Sequence, residues 1–126
     1  MGARKQSGQV SLTLTEPPSA NRWWRNVSGR MVTSKAARDY KASVANRCLV
    51  QGVKPIPAPT AVCVVIEWNR KRKSGDLDKR LGVLLDALQG NCYDNDSQII
   101  RIVAERRDGG RGTVFVTVVT TGTAND

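Results

Sequence analysis

Residues 61–68 read Ala61-Val62-Cys63-Val64-Val65-Ile66-Glu67-Trp68, an apolar run too short for an ordinary helix and rich in β-branched side chains. Such a run fits a strand near the middle of a sheet. Beyond it, Leu77, Leu81, Leu84, Leu85 and Leu88 recur at intervals of 4, 3, 1 and 3, which lines them along one face of an amphipathic helix. A buried strand that leads into a one-sided helix calls for helices layered on a sheet. At 126 residues the chain is read as one domain, 1–126, with room for one core and not for two.

The rest of the chain supplies the other elements. Residues 1–8 are polar and basic and are expected to be a flexible tail. Residues 10–14 alternate apolar and polar, as a strand with one buried face does, and Pro17-Pro18 ends it. A loop is expected through Asn21-Arg22-Trp23-Trp24-Arg25 to Arg30. From Ser34, a good cap, a helix is predicted with Ala36, Ala37, Tyr40, Val44 and Cys48 at helical spacing. A turn-rich connection spans 52–59, and Gly90 stops the leucine helix. Residues 97–105 read as a strand, Asp108-Gly109-Gly110 as a hairpin turn, and 113–121 as the closing strand. The order β-α-β-α-β-β predicts an α/β or α+β domain: a four-stranded mixed sheet with two α-helices.

Charge narrows the function. Lys and Arg number 20 against 11 Asp and Glu, a formal +9, and so basic a small domain calls for an anionic partner, nucleic acid first. A membrane surface is disfavoured because no basic amphipathic helix is present. The chain has no histidine, which excludes His-based triads, a histidine general base and Cys/His zinc sites. Cys48, Cys63 and Cys92 are odd in number and lack C-x-x-C spacing, so reduced structural thiols are expected, with Cys63 a small buried hydrophobe. Neither a secretory h-region nor a membrane-spanning run is seen, and the expected location is the cytoplasm.

The acids are unevenly placed. Three of the 11 (Glu16, Asp39, Glu67) fall in residues 1–75, whereas Asp76, Asp78, Asp86, Asp94 and Asp96 crowd into 76–96, directly after Arg70-Lys71-Arg72-Lys73. Helix chemistry offers one account: Asp76 and Asp78 would cap free amides at a helix N-terminus. The alternative is a site. Asp94 and Asp96, at i and i+2 on a strand start, would face one way, while Lys79 and Arg80 sit in a first helical turn where a cation needs an anionic neighbour. Oxygen ligands so arranged suit Mg²⁺, with Mn²⁺ a substitute, and a metal beside Lys and Arg fits phosphodiester cleavage. A calcium loop is the competing metal reading and a weak one, because 94–98 lacks the turn glycine and distal glutamate. The site requires Asp96 to return to the start of the leucine helix. That helix climbs about 16 Å, and residues 90–96 could span roughly 24 Å. A third strand parallel to the second would instead begin at the far end.

Several of these stretches together resemble the RusA family of Holliday junction resolvases, over roughly 11–119. Pro17-Pro18-Ser19-Ala20-Asn21-Arg22-Trp23-Trp24 is similar to the family's Pro-Pro-Ser-x-Asn opening. Asp76-Leu77-Asp78, Leu84-Leu85-Asp86-Ala87-Leu88 and Asp94-Asn95-Asp96-Ser97-Gln98-Ile99 match its D-x-D, L-x-D-A-L and D-D-x-Q elements. The resemblance implies a Mg²⁺-dependent endonuclease, active as a homodimer, that nicks opposed strands of four-way junction DNA in recombination and repair. It places the catalytic and metal-binding aspartates at Asp76, Asp78 and Asp96. The chain departs from the family's D-x-D-N-x-x-K at Lys79 and Gly82, and Asn95 stands where an aspartate is common. The catalytic cation is therefore expected at Lys79 or Arg80.

Around that centre, Arg22, Trp23, Trp24, Arg25 and Arg30 in the first loop, with Arg70, Lys71, Arg72, Lys73 and Arg80, are the expected DNA contacts. One of Trp23 and Trp24 is expected in the core and the other against unpaired bases. Asp86 and Asp94 are expected behind the metal ligands, Asp86 as the structural partner of a cation. The competing function is a basic module that binds branched DNA or structured RNA without cutting it.

Overall fold

Alternation is what makes the first strand. Along β1 (Gln9–Thr15), Val10, Leu12 and Leu14 are buried while Ser11 and Thr13 face out. A computed structural model, which describes residues 9–19, 24–73 and 76–121, continues from there. The expected 1–8 tail lies outside the described residues. The segment expected to be a loop holds a hairpin, β2 (Trp24–Val27) and β3 (Arg30–Thr33). Its two-residue turn has Ser28 at φ 51° and Gly29 at φ 80°, the doubly positive geometry whose twist matches that of paired strands.

Helix α1 (Lys35–Gln51) starts where the Ser34 hydroxyl accepts the Ala37 amide at 3.1 Å, and ends at left-handed Gly52. It buries Ala37, Tyr40, Val44 and Cys48, and the Tyr40 hydroxyl donates to the Thr15 carbonyl at 2.8 Å. Strand β4 (Val62–Arg70) follows, then α2 (Leu77–Leu88), a 3₁₀ turn (Asp96–Gln98), β5 (Ile99–Asp108) and β6 (Thr113–Thr120). Helix α2 turns Val83, Leu84, Ala87 and Leu88 into the core, so the leucine stripe is rotated and Leu77, Leu81 and Leu85 are half-buried at its rim. The fold is α+β: a four-stranded mixed sheet, a two-stranded sheet and two α-helices.

The larger sheet runs β1-β6-β4-β5. Strand β4 is central, antiparallel to β6 and parallel to β5. Its residues Val62, Val64, Ile66 and Trp68 share one face with Val114, Val116, Val118, Val10, Leu12 and Leu14, and this face joins both helices in one core. Cys63, expected to be buried, lies half-buried on the opposite face, whereas Cys48 and Cys92 are the buried thiols, their sulfurs 4.0 Å apart.

Strands β5 and β6 do not form the expected hairpin. The loop between them crosses the end of β4, where Gly110 N–H donates to the Arg70 carbonyl and Gly112 N–H to that of Asn69. A Cβ at residue 110 would stand 2.5 Å from the Asn69 Cβ and 2.8 Å from its carbonyl oxygen, so only glycine passes. Gly110→Ala is expected to cost about 2 kcal/mol through this overpacking. Gly82→Ala, where an added Cβ meets no heavy atom within 4 Å, should gain about 0.8 kcal/mol from helix propensity. Urea unfolding of both variants checks the contrast.

Candidate active site

Asp76 occupies the N-cap of α2 in an extended conformation, yet its side chain makes no capping hydrogen bond. Asp78 stands in the first turn, and both residues are exposed. Among the described residues neither carboxylate has an ion-pair partner or a hydrogen bond to a side chain, so helix capping does not account for them. Lys79 is exposed beside them, as are Lys71, Arg72 and Lys73 at the end of β4.

Arg80 is fixed in place. Its Nη1 donates to the Pro17 carbonyl at 2.6 Å, and its guanidinium lies 5.1 Å from the centroid of the Trp68 ring. The Trp68 indole donates to Glu16 Oε2 at 2.8 Å, and the Lys71 amide to the same oxygen at 3.3 Å. Arg80 and Glu16 thereby tie the Pro17-Pro18 segment and the basic stretch to the start of α2. Sequence reasoning gave Glu16 no role. The signal was its isolation among cations, which is what a shared hydrogen-bond acceptor needs.

Two clefts share Glu16 and Arg80. One, of about 440 Å³, is also lined by Pro17, Asp39, Tyr40 and Ser43, and the other, of about 360 Å³, by Lys71 and Arg72. Asp39, Tyr40 and Ser43 reach the first cleft from α1, a contact no local pattern announces.

Other expected site residues lie elsewhere. Arg70, expected to be a DNA contact, is buried, with its guanidinium on Asp108 Oδ1 at 2.8 and 2.9 Å. Its alternation with Trp68 and Ile66 turns it to the covered face of β4. Arg30 is exposed on the hairpin; Arg22 and Trp23, and the side chains of Trp24 and Arg25, lie outside the described residues. Asp86 pairs with Lys41 at 3.2 Å. Asp94 and Asp96 do not sit side by side on a strand. Asp94 accepts the Ala58 amide at 3.1 Å and pins that loop, while Asp96 begins the 3₁₀ turn.

Asp96 is also at the wrong end of α2 to meet Asp76 and Asp78 within one chain. Its amide donates to Gln89 Oε1 at 2.8 Å, just past the C-terminus of the helix, and a helix of 12 residues rises about 18 Å. The neighbouring Tyr93 hydroxyl has its pKa pushed well up by burial first, then by Cys92, Asp96 and Asp86. Because β5 runs parallel to β4, it starts at the end opposite the one where β4 hands over to α2. No three acidic or cysteine side chains among the described residues come together to hold a metal ion. The expected convergence of Asp76, Asp78 and Asp96 does not occur within one chain.

Gln98, from the motif around Asp96, is buried in the structure. Its amide donates to the Ile56 and Thr60 carbonyls at 3.1 and 2.9 Å, and its oxygen accepts the Asn95 amide at 2.8 Å. It holds the turn that carries Asp96 against the 56–60 loop.

Among known proteins, residues 15–119 match the family Endodeoxyribonuclease RusA. No curated protein matches the chain. Among solved structures it is similar to a DegV family protein of Corynebacterium glutamicum, at 13% identity and a TM-score of 0.38, over 93% of this chain and 50% of that one. The chain thus spans about half of that structure, and so weak a likeness carries no argument about function. No helix among the described residues is long and apolar enough to cross a membrane.

Proposed function

The chain belongs to the RusA endodeoxyribonuclease family, and from that premise we propose that it is a Mg²⁺-dependent nuclease that resolves four-way DNA junctions by paired nicks, as a homodimer. Membership of the family implies a Holliday-junction-resolving endonuclease. The observation that supports the metal dependence is the pair of exposed carboxylates at Asp76 and Asp78, uncommitted to capping and beside Lys79. Their oxygen donors fit a hard divalent cation that keeps several waters. Bound there, Mg²⁺ would polarise a phosphoryl oxygen and lower the pKa of a water.

The protein's own groups supply the rest. Lys79 is the proposed catalytic cation, placed to offset charge that develops on the phosphate. Position 82, where the family pattern has lysine, is a glycine with open space around it, so no side chain there competes with Lys79. Lys71, Arg72 and Lys73 are the proposed phosphate contacts, whereas Arg80 holds the Pro17 segment against α2 and shapes the cleft. Asp96 is the third proposed ligand. Since one chain keeps it a helix length from the other two, it serves the site of a second copy. Two such sites related by a two-fold axis suit a four-way junction, whose opposed strands are related in the same way.

The test is cleavage of an immobile four-way junction with Mg²⁺. The unaltered chain should give paired nicks, and Asp78→Asn should lower the rate about a thousandfold while binding changes little. EDTA should stop cleavage and leave binding intact. Tight binding with no nicks from either protein would establish a non-cleaving module for branched DNA instead.

A further inference from the structure

The two buried thiols of the core come from elements far apart in the chain. Cys48 stands in the last turn of α1, Cys92 in the connection from α2 to β5, 44 positions on, and their sulfurs are 4.0 Å apart. Core packing explains a small side chain at each position, but not that the two sulfurs face each other. Cys63 lies half-buried on the opposite face of the sheet, out of reach of both. We propose that Cys48 and Cys92 are a redox modification site, which hydrogen peroxide closes to an intramolecular disulfide.

Their surroundings give the two sulfurs different roles. Cys92 is held firmly. Its N–H donates to the Leu88 carbonyl at 2.9 Å, its carbonyl accepts the Ile56 amide at 3.0 Å, and the next residue, Tyr93, donates its hydroxyl to the Leu85 carbonyl at 2.7 Å. Cys48 is at a helix end, followed by Leu49 and Val50, which are 78% and 71% exposed, and then by left-handed Gly52. Terminal turns open at a lower free-energy cost than interior ones, so a small oxidant reaches the Cys48 sulfur first. The thiolate is the nucleophile. The hydrogen bond shared with Cys92 holds the Cys48 thiol below its usual pKa, whereas the same bond and burial push Cys92 well up.

The Cys48 thiolate attacks one oxygen of the peroxide. The O–O bond breaks, the sulfur becomes a sulfenic acid, and the leaving hydroxide takes up the proton that the thiol lost, as water. The Cys92 sulfur then attacks the Cys48 sulfur: the S–S bond forms, the S–O bond breaks, and the departing hydroxide leaves with the Cys92 proton as a second water. The two thiols lose two electrons and one peroxide is reduced to two waters. An S–S bond is about 2 Å long, so the sulfurs must approach by about 2 Å, a movement that the end of α1 supplies. The resulting ring encloses β4 and α2, with Asp76 and Asp78, and ties the end of α1 to the segment that leads to Asp96.

Peroxide treatment of the folded Cys63→Ser chain tests the site. Expected are a loss of about 2 Da, one hydrogen from each thiol, and peptides holding residues 48 and 92 joined to each other. The melting temperature should rise by roughly 10 °C through restriction of the unfolded chain, and dithiothreitol should reverse every change. Cys92→Ala in the same background should stop at the sulfenic acid, trapped on Cys48 by dimedone. Cys48→Ala should leave Cys92 unreacted at the same dose. The same peptide map of the unaltered chain decides the matter where a variant folds poorly. Two thiols still free after treatment, a link between copies only, or an oxidised Cys48 that never joins Cys92 overturns the proposal. The site stands apart from the proposed nuclease centre, and junction cleavage by the reduced chain is untouched by either result.

Discussion

Two inactive proteins, Asp78→Asn and Asp96→Asn, are expected to regain cleavage when mixed and allowed to exchange subunits. In a mixed dimer one site combines both substitutions, while the other takes Asp76 and Asp78 from the Asp96→Asn chain and Asp96 from the Asp78→Asn chain. That second site has its full set of carboxylates. Random exchange makes half the dimers mixed, each with one of two sites intact, so about a quarter of the original nicking should return. The product should be single nicks rather than paired ones. A site built within one chain would give nothing on mixing, because each chain would still lack one ligand. The prediction follows from where the fold places the acids: the Asp96 amide hydrogen-bonds to Gln89 beyond the end of α2, whereas Asp76 stands at its beginning.

Gln98→Leu should be the most destabilising substitution near that motif. It roughly keeps the volume and removes every hydrogen bond of a buried amide, which strands the Thr60 carbonyl and the Asn95 amide, while the Ile56 carbonyl keeps the Asp94 amide. At about 1 kcal/mol for each of these two unsatisfied backbone groups, the loss should be about 2 kcal/mol. For a chain of this size that lowers the melting temperature by roughly 8 °C. Gln98→Glu should also fall short, since it has no amide donors and places an ionisable group in a buried position. Thermal unfolding followed by circular dichroism checks both. A Gln98→Leu protein as stable as the parent would mean that water reaches these groups.

The elements were legible in the sequence where a local period speaks. Alternation in β1, the Ser34 cap and the face Ala37-Tyr40-Val44-Cys48 lie where periodicity puts them. Strand order was less legible, because the position of a strand in a sheet is a non-local property. Gly110 marks the crossing over β4 but looks like a hairpin glycine until Asn69 is seen beneath it. The hairpin at 24–33 was announced only by Ser28-Gly29, a dipeptide too common to outweigh the lack of alternation around it.

The site divides along the same line. Asp76, Asp78 and Lys79 were readable as neighbours because they share one helical turn. The distance to Asp96 depended on whether β5 runs with β4 or against it. A strand, a single helix and another strand form a crossover unit, and such units pair their strands in parallel. That rule, applied to 62–108, would have put Asp96 at the far end in advance. Arg70 was misplaced for a smaller reason: the last residue of a strand keeps its alternation, and at that position the covered side was inward.

The strand order has a consequence for how the chain acquires its shape. Strand β6, the last of the described strands, is the one that connects β1 to the remainder of the sheet. Until it emerges from the ribosome, β1 has no partner and the Val114, Val116 and Val118 layer is missing from the interior. Nascent chains that stop before residue 113 should therefore stay open and protease-sensitive, and collapse to the native state should wait for the final strand to slot between two others made long before it.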